Sequence, residues 1–317
     1  MKLLTIIIFS GDRFVVKKLL NDLVKISNNQ MNIVVIEWSE NPDILKRKKF
    51  LYKNFKSKIK NFKTIYQFGN WEYKYTKFIN KFNSKYVLVI GDDDRIKKNN
   101  FSKIFKYLHF DYSGITTLYE NISSTKKNNK SKFQSDIIRP FQISNDIIDI
   151  GFTSCQIIKT DLIRKIFKKI KKKDLLSTGY PQNFIILKII KHFNNWKILN
   201  LKCIKKNPAD IKLYKKSDLL VNRLKDEYLG YLKPLKQNFS NYPKKKLNSI
   251  YSKVFFRNII SWLYICIKLY GKEQTFNSIK EIRNIIYEPF KIKLTLLLIY
   301  YLPLPLLEFI KWLRKKL

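Results

Sequence analysis

Three consecutive carboxylates, Asp92-Asp93-Asp94, follow the apolar run Tyr86-Val87-Leu88-Val89-Ile90 with only Gly91 between them. Like charges at the end of a hydrophobic strand repel one another, and burial pushes their pKa values up, so the cluster is costly unless a cation offsets it. On an extended segment Asp92 and Asp94 point the same way. They can then hold an oxygen-preferring divalent cation, Mg2+ or Mn2+, with coordination positions left over for a diphosphate. The plain alternative is a solvated acidic turn neutralised by Arg95, Lys97 and Lys98. The preceding strand favours the metal, because ligands of open α/β sheets bind beyond the carboxyl ends of the strands.

The rare residues exclude other chemistries. Eight glycines stand at positions 11, 69, 91, 114, 151, 179, 230 and 271, and neither G-x-G-x-x-G nor G-x-x-x-x-G-K-[ST] can be written with them. Dinucleotide and P-loop sites built on glycine are therefore out. His109 and His192 supply no H-E-x-x-H, and no G-x-S-x-G accompanies them. Cys155, Cys203 and Cys266 are isolated and odd in number, which argues against a disulfide framework or zinc cluster and fits a reducing cytoplasm.

The elements that must position the carboxylates alternate between strand and helix. Leu3 to Phe9 is continuously apolar and β-branched, as expected for a strand covered on both faces, and it lacks the small-residue cleavage site of a signal peptide. Phe14, Val15, Leu19, Leu20, Leu23 and Val24 keep helical spacing. Strands follow at Ile33 to Ile36, ending at Glu37, and at Thr64 to Tyr66. A helix from about Trp71 carries Tyr75, Phe78, Ile79 and Phe82, and Tyr86 to Ile90 is the fourth strand. The pattern predicts an α/β fold with a mainly parallel open sheet flanked by helices. Further on, it predicts a helix near Ile104 to Leu108, a strand Gly114 to Leu118 and a mobile polar loop from Ser123 to Ser135. A strand at Cys155 to Ile158 then leads to Thr160-Asp161 as N-cap of a helix Leu162 to Ile170. A helix opened by Pro181 and a strand Lys197 to Leu199 complete the series.

On these residues the sequence resembles a family 2 glycosyltransferase of the GT-A fold. Leu4-Thr5-Ile6-Ile7-Ile8-Phe9-Ser10-Gly11-Asp12-Arg13 is similar to that family's first strand and T-x-N-R turn. Ile33 to Glu40 is similar to its second strand ending in V-D-[DN]-x-S, and Lys85 to Asp94 to the strand running into D-x-D. The resemblance covers about the first hundred residues. It implies that Ser10, Asp12, Arg13, Glu37, Asp92 and Asp93 bind a nucleotide-sugar donor, and that Asp92 and Asp94 meet the divalent metal. It also implies inverting transfer of a sugar to a glycan or lipid-linked acceptor in bacterial surface polysaccharide synthesis. Departures are Asp12 for the usual Asn, Glu37 for Asp, and Lys77 where the family often has Asn. Inverting members place an E-D pair at the start of a late helix, where this chain reads Gly179-Tyr180-Pro181-Gln182-Asn183, and an amide is no base. Asp174 is the nearest carboxylate and the candidate catalytic base, ahead of Asp161 and Asp149; Gly151-Phe152-Thr153-Ser154 is a candidate acceptor loop. Other readings are a metal-dependent nucleotidyl enzyme and a non-catalytic basic protein binding membrane or nucleic acid.

Beyond Asn207-Pro208 the pattern is helical only. The expected organisation is a GT-A domain at 1–206, a basic helical region at 207–291 and an apolar, basic segment at 292–317. In that last segment Ile292 to Ile310 is nearly all apolar, broken by Pro303 and Pro305, and closed by Lys311, Trp312, Arg314, Lys315 and Lys316. Two prolines disfavour a straight span, so interfacial contact is expected, with a C-terminal core helix as the alternative. The formal charge is +40, but only nine of the 64 cations are arginine, and lysine is spread over plain surface. The charge predicts attraction to anionic membranes, nucleic acid is not an expected partner, and the resemblance then implies a peripheral place on the inner face of the cytoplasmic membrane.

Overall fold

The structure, a computed structural model, describes residues 1–11, 14–69, 71–121, 137–138, 153–170, 175, 180–193, 195–206, 219–285, 288–303 and 305–306. The chain divides into two compact units, Met1–Asp210 and Ile211–Leu317.

In the first unit the strands are β1 (Lys2–Ser10), β2 (Met31–Glu37), β3 (Phe62–Tyr66), β4 (Ser84–Gly91), β5 (Arg95–Ile96), β6 (Gly114–Asn121), β7 (Ile137–Ile138), β8 (Gln156–Lys159) and β9 (Trp196–Lys206). They form one sheet in the order β3-β2-β1-β4-β8-β6-β9-β5, with β7 on β9. From β3 to β4 every pairing is parallel. Beyond β4 shorter antiparallel pairings enter, so the open sheet is mixed. β8 runs antiparallel to β4 and β6, while β5 and β7 run antiparallel to β9; among the described strands beyond β4, β6 and β9 pair in parallel.

The apolar run of β1 is buried because helices pack over the sheet. α1 (Val16–Val24) contributes Leu19, Leu20 and Leu23, and α2 (Pro42–Lys56) contributes Leu51, Tyr52 and Phe55, to one cluster with Leu4, Ile6, Ile8, Ile33, Val35, Leu88 and Ile90. α2 starts at Pro42 because proline suits the first turn, where its missing N–H costs nothing; Asn41 caps it by accepting from the backbone N–H groups of Asp43 and Ile44. α3 (Trp71–Phe78) stops short of the expected Phe82, since the chain turns at Ile79 to Lys81 to enter β4 and Arg164 holds the carbonyls of Asn80 and Phe82.

α4 (Lys98–Ser102) and α5 (Phe105–Leu108) precede β6. α6 (Thr160–Phe167) departs from the expected cap. Lys159 occupies the N-cap position without a side-chain bond, and Thr160 is already in the buried first turn, where its Oγ1 makes no hydrogen bond. α7 (Pro181–His192) again begins on proline.

The second unit contains α8 (Leu219–Phe239), α9 (Lys244–Val254), a π-helical turn (Phe255–Ile259), α10 (Ile260–Tyr270), α11 (Lys272–Ile285) and α12 (Phe290–Tyr301). Gly271, at φ 78° and ψ 168°, ends α10 in a positive-φ conformation that glycine adopts without a Cβ penalty. Leu224, Tyr228, Leu235, Tyr251, Phe255, Leu263 and Cys266 are buried in its core. α12 buries Ile292 and Leu296 and leaves Phe290, Leu294, Leu297, Leu298, Tyr300 and Tyr301 exposed. Among the described residues no helix is long and apolar enough to cross a membrane.

Candidate active site

Strand register aligns the residues that matter. Ser10 stands opposite Glu37, and Phe9 opposite Gly91, so the ends of β1, β2 and β4 lie level and the Asp triplet begins one residue beyond. The chain runs outward from β1 through β2 to β3 and returns to place β4 on the other side of β1. Such a reversal opens a crevice at the carboxyl ends, where α/β sheets bind ligands.

Along one wall Glu37 is fully buried. Its Oε1 accepts from the backbone N–H of Trp38 (3.2 Å) and of Ser39 (2.9 Å), and its Oε2 lies 3.2 Å from Lys48 Nζ and accepts from the Tyr52 hydroxyl. Lys48, equally buried, also donates to Ser10 Oγ (2.9 Å) and to the Gly11 carbonyl. Burial and then the Glu37 charge push the Tyr52 phenol well above its ordinary pKa, so it stays a donor. Ser10 and Glu37 are thus brought together through Lys48 and Tyr52. The Glu37 carboxylate, however, is turned inward, tying α2 to the ends of β1 and β2.

The sequence reading missed Lys48 and Tyr52, although a signal was present. Lys48, Leu51, Tyr52 and Phe55 follow the spacing of one helix face, so a cation sits in an apolar stripe and has to be paired inside.

The acidic segment is a turn and not the extended strand assumed for it: Asp94 N–H donates to Gly91 O at 3.2 Å. Asp92 and Asp94 are buried, and Asp93 is half-buried. Ser154, in the 3-10 turn Thr153–Cys155, accepts from Gly91 N–H at 3.0 Å and donates to Asp94 Oδ2 at 2.6 Å, fixing that carboxylate to the strand end. A Cβ on Gly91 would come within 3.1 Å of Asp93 Oδ1 and 3.2 Å of Asp94 Oδ2, so the glycine makes room for both. The charge of Asp92 reaches Tyr52, whose pKa it helps raise.

Two of the cations expected to neutralise the triplet are engaged elsewhere. Arg95 grips Asp22 of α1 with two bonds of 2.6 and 2.8 Å, and Lys97 pairs with Glu120 at 2.7 Å. The described residues contain no group of three His, Cys, Asp or Glu able to enclose a metal. Asp92 and Asp94, two residues apart in the turn, offer hard carboxylate oxygens, the donor type that suits Mg2+ or Mn2+ where a ligand phosphate and water complete the shell.

Asp12, Arg13, Asp149, Gly151, Phe152 and Asp174 lie outside the described residues, as do the expected mobile loop Ser123 to Ser135 and the terminal cations. Asp161 is exposed and paired with Arg164 at 3.2 Å, an ordinary surface pair of α6. Gln182 and Asn183, in the first turn of α7, are buried.

No family model matches the chain, and no curated protein matches it. Solved structures do. Residues 1–349 of S. aureus TarS in complex with UDP-GlcNAc superpose with a TM-score of 0.65 at 14% identity, over 90% of this chain and 82% of that one. The UDP complex of the same protein gives 0.62 at 15% identity, over 88% and 79%. The mannosyltransferase PcManGT from Pyrobaculum calidifontis, in complex with GDP-Man and Mn2+, gives 0.52 at 8% identity, over 92% and 83%. At such identities the likeness establishes architecture: this chain has an open, mixed α/β sheet flanked by helices, the GT-A-like fold.

Proposed function

We propose that this chain is a glycosyltransferase that moves a sugar from a nucleotide-sugar donor to a glycan or lipid-linked acceptor, with inversion, in the assembly of a bacterial surface polysaccharide. The observation that carries the reading is the Asp92–Asp94 turn, held by Ser154 at the crevice between β1 and β4. The nucleotides named for the similar structures, UDP, UDP-GlcNAc and GDP-Man, support the donor class.

In this reading Ser10, Asp12, Arg13, Asp92 and Asp93 line the donor pocket, and Asp92 and Asp94 hold a divalent cation. When bound, that cation supplies positive charge to the departing diphosphate. The chain's own contribution is a preformed wall. The Lys48–Glu37–Tyr52–Ser10 network fixes the strand ends before the donor arrives, so little reorganisation is needed at the moment of reaction. Asp174 takes the acceptor proton, since the amides of Gln182 and Asn183 have no basic site for it. α12 lies on the inner face of the cytoplasmic membrane, where lipid-linked acceptors would be met. Its exposed apolar residues and exposed Lys291 and Lys293 support that contact.

A panel of UDP-, GDP- and TDP-sugars, each with and without Mn2+, tests the donor reading by thermal shift. A ligand that binds only the folded state raises the melting temperature by mass action. One nucleotide series should do so more strongly with Mn2+ than without; no stabilisation by any of them would remove the reading.

A further inference from the structure

Lys74, on α3, is fully buried, and its Nζ makes no hydrogen bond. The ammonium instead lies 3.5 Å from the centre of the Trp38 ring. Trp38 follows Glu37 at the end of β2 and is itself locked in place: its backbone N–H donates to Ser10 O at 3.0 Å, and its six-membered ring sits so close to Gly11 that a Cβ there would come within 2.6 Å of it. The indole is half-buried, whereas the ammonium is sealed.

Burial lowers the Lys74 pKa to about 8, against the opposing pull of Glu37 and Glu40. A cation–π contact contributes about 2 kcal/mol when desolvated, while withdrawing an ammonium from water costs several. The resting structure therefore leaves this cation under-compensated. Its cover, Trp38, lies on Ser10 and Gly11 at the ends of β1 and β2, and the charges of Glu37 and Glu40 act on the ammonium there.

We infer that Lys74 is a ligand-binding cation held in reserve beneath Trp38. When a nucleoside diphosphate enters at the ends of β1 and β2, the indole moves off Gly11 and the ammonium donates to oxygens of the nucleotide. The inference rests on the nucleotide-sugar reading and adds to it a residue, a moving cover and the need for glycine at position 11. Lys74 lies on the face of α3 that carries Tyr75 and Phe78, the same signal of an inward cation that Lys48 gives on α2.

The test is calorimetric titration of the full chain with UDP and GDP in Mn2+, with uridine and inorganic pyrophosphate as separate arms, for wild type, Lys74→Met and Lys74→Arg. Lys74→Met should weaken binding of the preferred nucleoside diphosphate roughly ten-fold or more while its melting temperature holds or rises, and Lys74→Arg should keep part of the affinity. A parallel loss for pyrophosphate assigns the ammonium to the phosphates, and a loss for uridine assigns it to the nucleoside. Nucleotide should also change the tryptophan emission of wild type, and this change should vanish in Trp38→Phe. Lys74→Met that binds nucleotide as wild type does and melts earlier would make Lys74 a packing residue and overturn the inference, leaving the donor reading intact. Wild type that binds none of the nucleotides would overturn both.

Discussion

Glu37 and Lys48 neutralise each other where neither touches water, so neither can be removed alone without leaving a buried charge. Glu37→Gln should lower unfolding stability by about 3–5 kcal/mol, read from urea melts, and the double variant Glu37→Gln/Lys48→Met should recover much of it because the stranded ammonium is gone too. Additive losses in the two single variants would show that the pair is not coupled. Lys74 gives a pH signature at the same scale. Its folded pKa of about 8 lies below the ordinary lysine value, so between the two values the unfolded chain binds more protons and stability rises with pH. Wild type should therefore gain stability relative to Lys74→Met between pH 8 and 10, and a constant difference across that window would show the ammonium to be solvated.

The strand-end geometry depends on how the element after the acidic turn is anchored. β5 follows the triplet directly, and Asp22 of α1 holds it through both Arg95 bonds and through Ile96 N–H at 3.1 Å. Asp22→Asn keeps the shape but removes the charge from these bonds, and should cost about 1.5–3 kcal/mol with the midpoint shifted and the denaturant slope unchanged. β1, β2 and β4 were legible in the sequence because burial on both faces makes a strand continuously apolar, and the carboxylates stood visibly at the end of one of them. Other features were not. A string of Asp residues does not show that its last N–H turns back to Gly91. A lysine in an apolar stripe signals an inward cation but not its partner, so the contacts of Lys48 with Glu37 and of Lys74 with Trp38 emerge only with the packing. The direction of β8 depends on pairings across the sheet and leaves no local pattern, and Ser154 meets Asp94 only because β8 lies beside β4.

For the molecule as a whole, the proposed membrane contact draws on both the charge of +40 and the exposed apolar face of α12. Lysines near such a surface contribute about 1 kcal/mol each and are screened by salt, whereas apolar insertion is not. The protein should pellet with anionic vesicles and be released only partly by moderate salt. Leu297→Glu/Leu298→Glu should weaken that binding without lowering the melting temperature, because both side chains are exposed. Substitution is the cleaner test than truncation, since removing α12 would also uncover the partners of buried Ile292 and Leu296. Vesicle binding unchanged in the double variant would assign the contact to charge alone. The central claim, that the Asp92–Asp94 turn is the metal-assisted end of a donor site, is tested most directly by calorimetric titration of the preferred nucleotide-sugar into wild type and Asp94→Asn, each with and without Mn2+. Asn keeps the size of the side chain and an acceptor for Ser154, so circular dichroism should not change. Binding should depend on Mn2+ in wild type and be lost in Asp94→Asn; equal, Mn2+-dependent binding in both proteins would rule the assignment out.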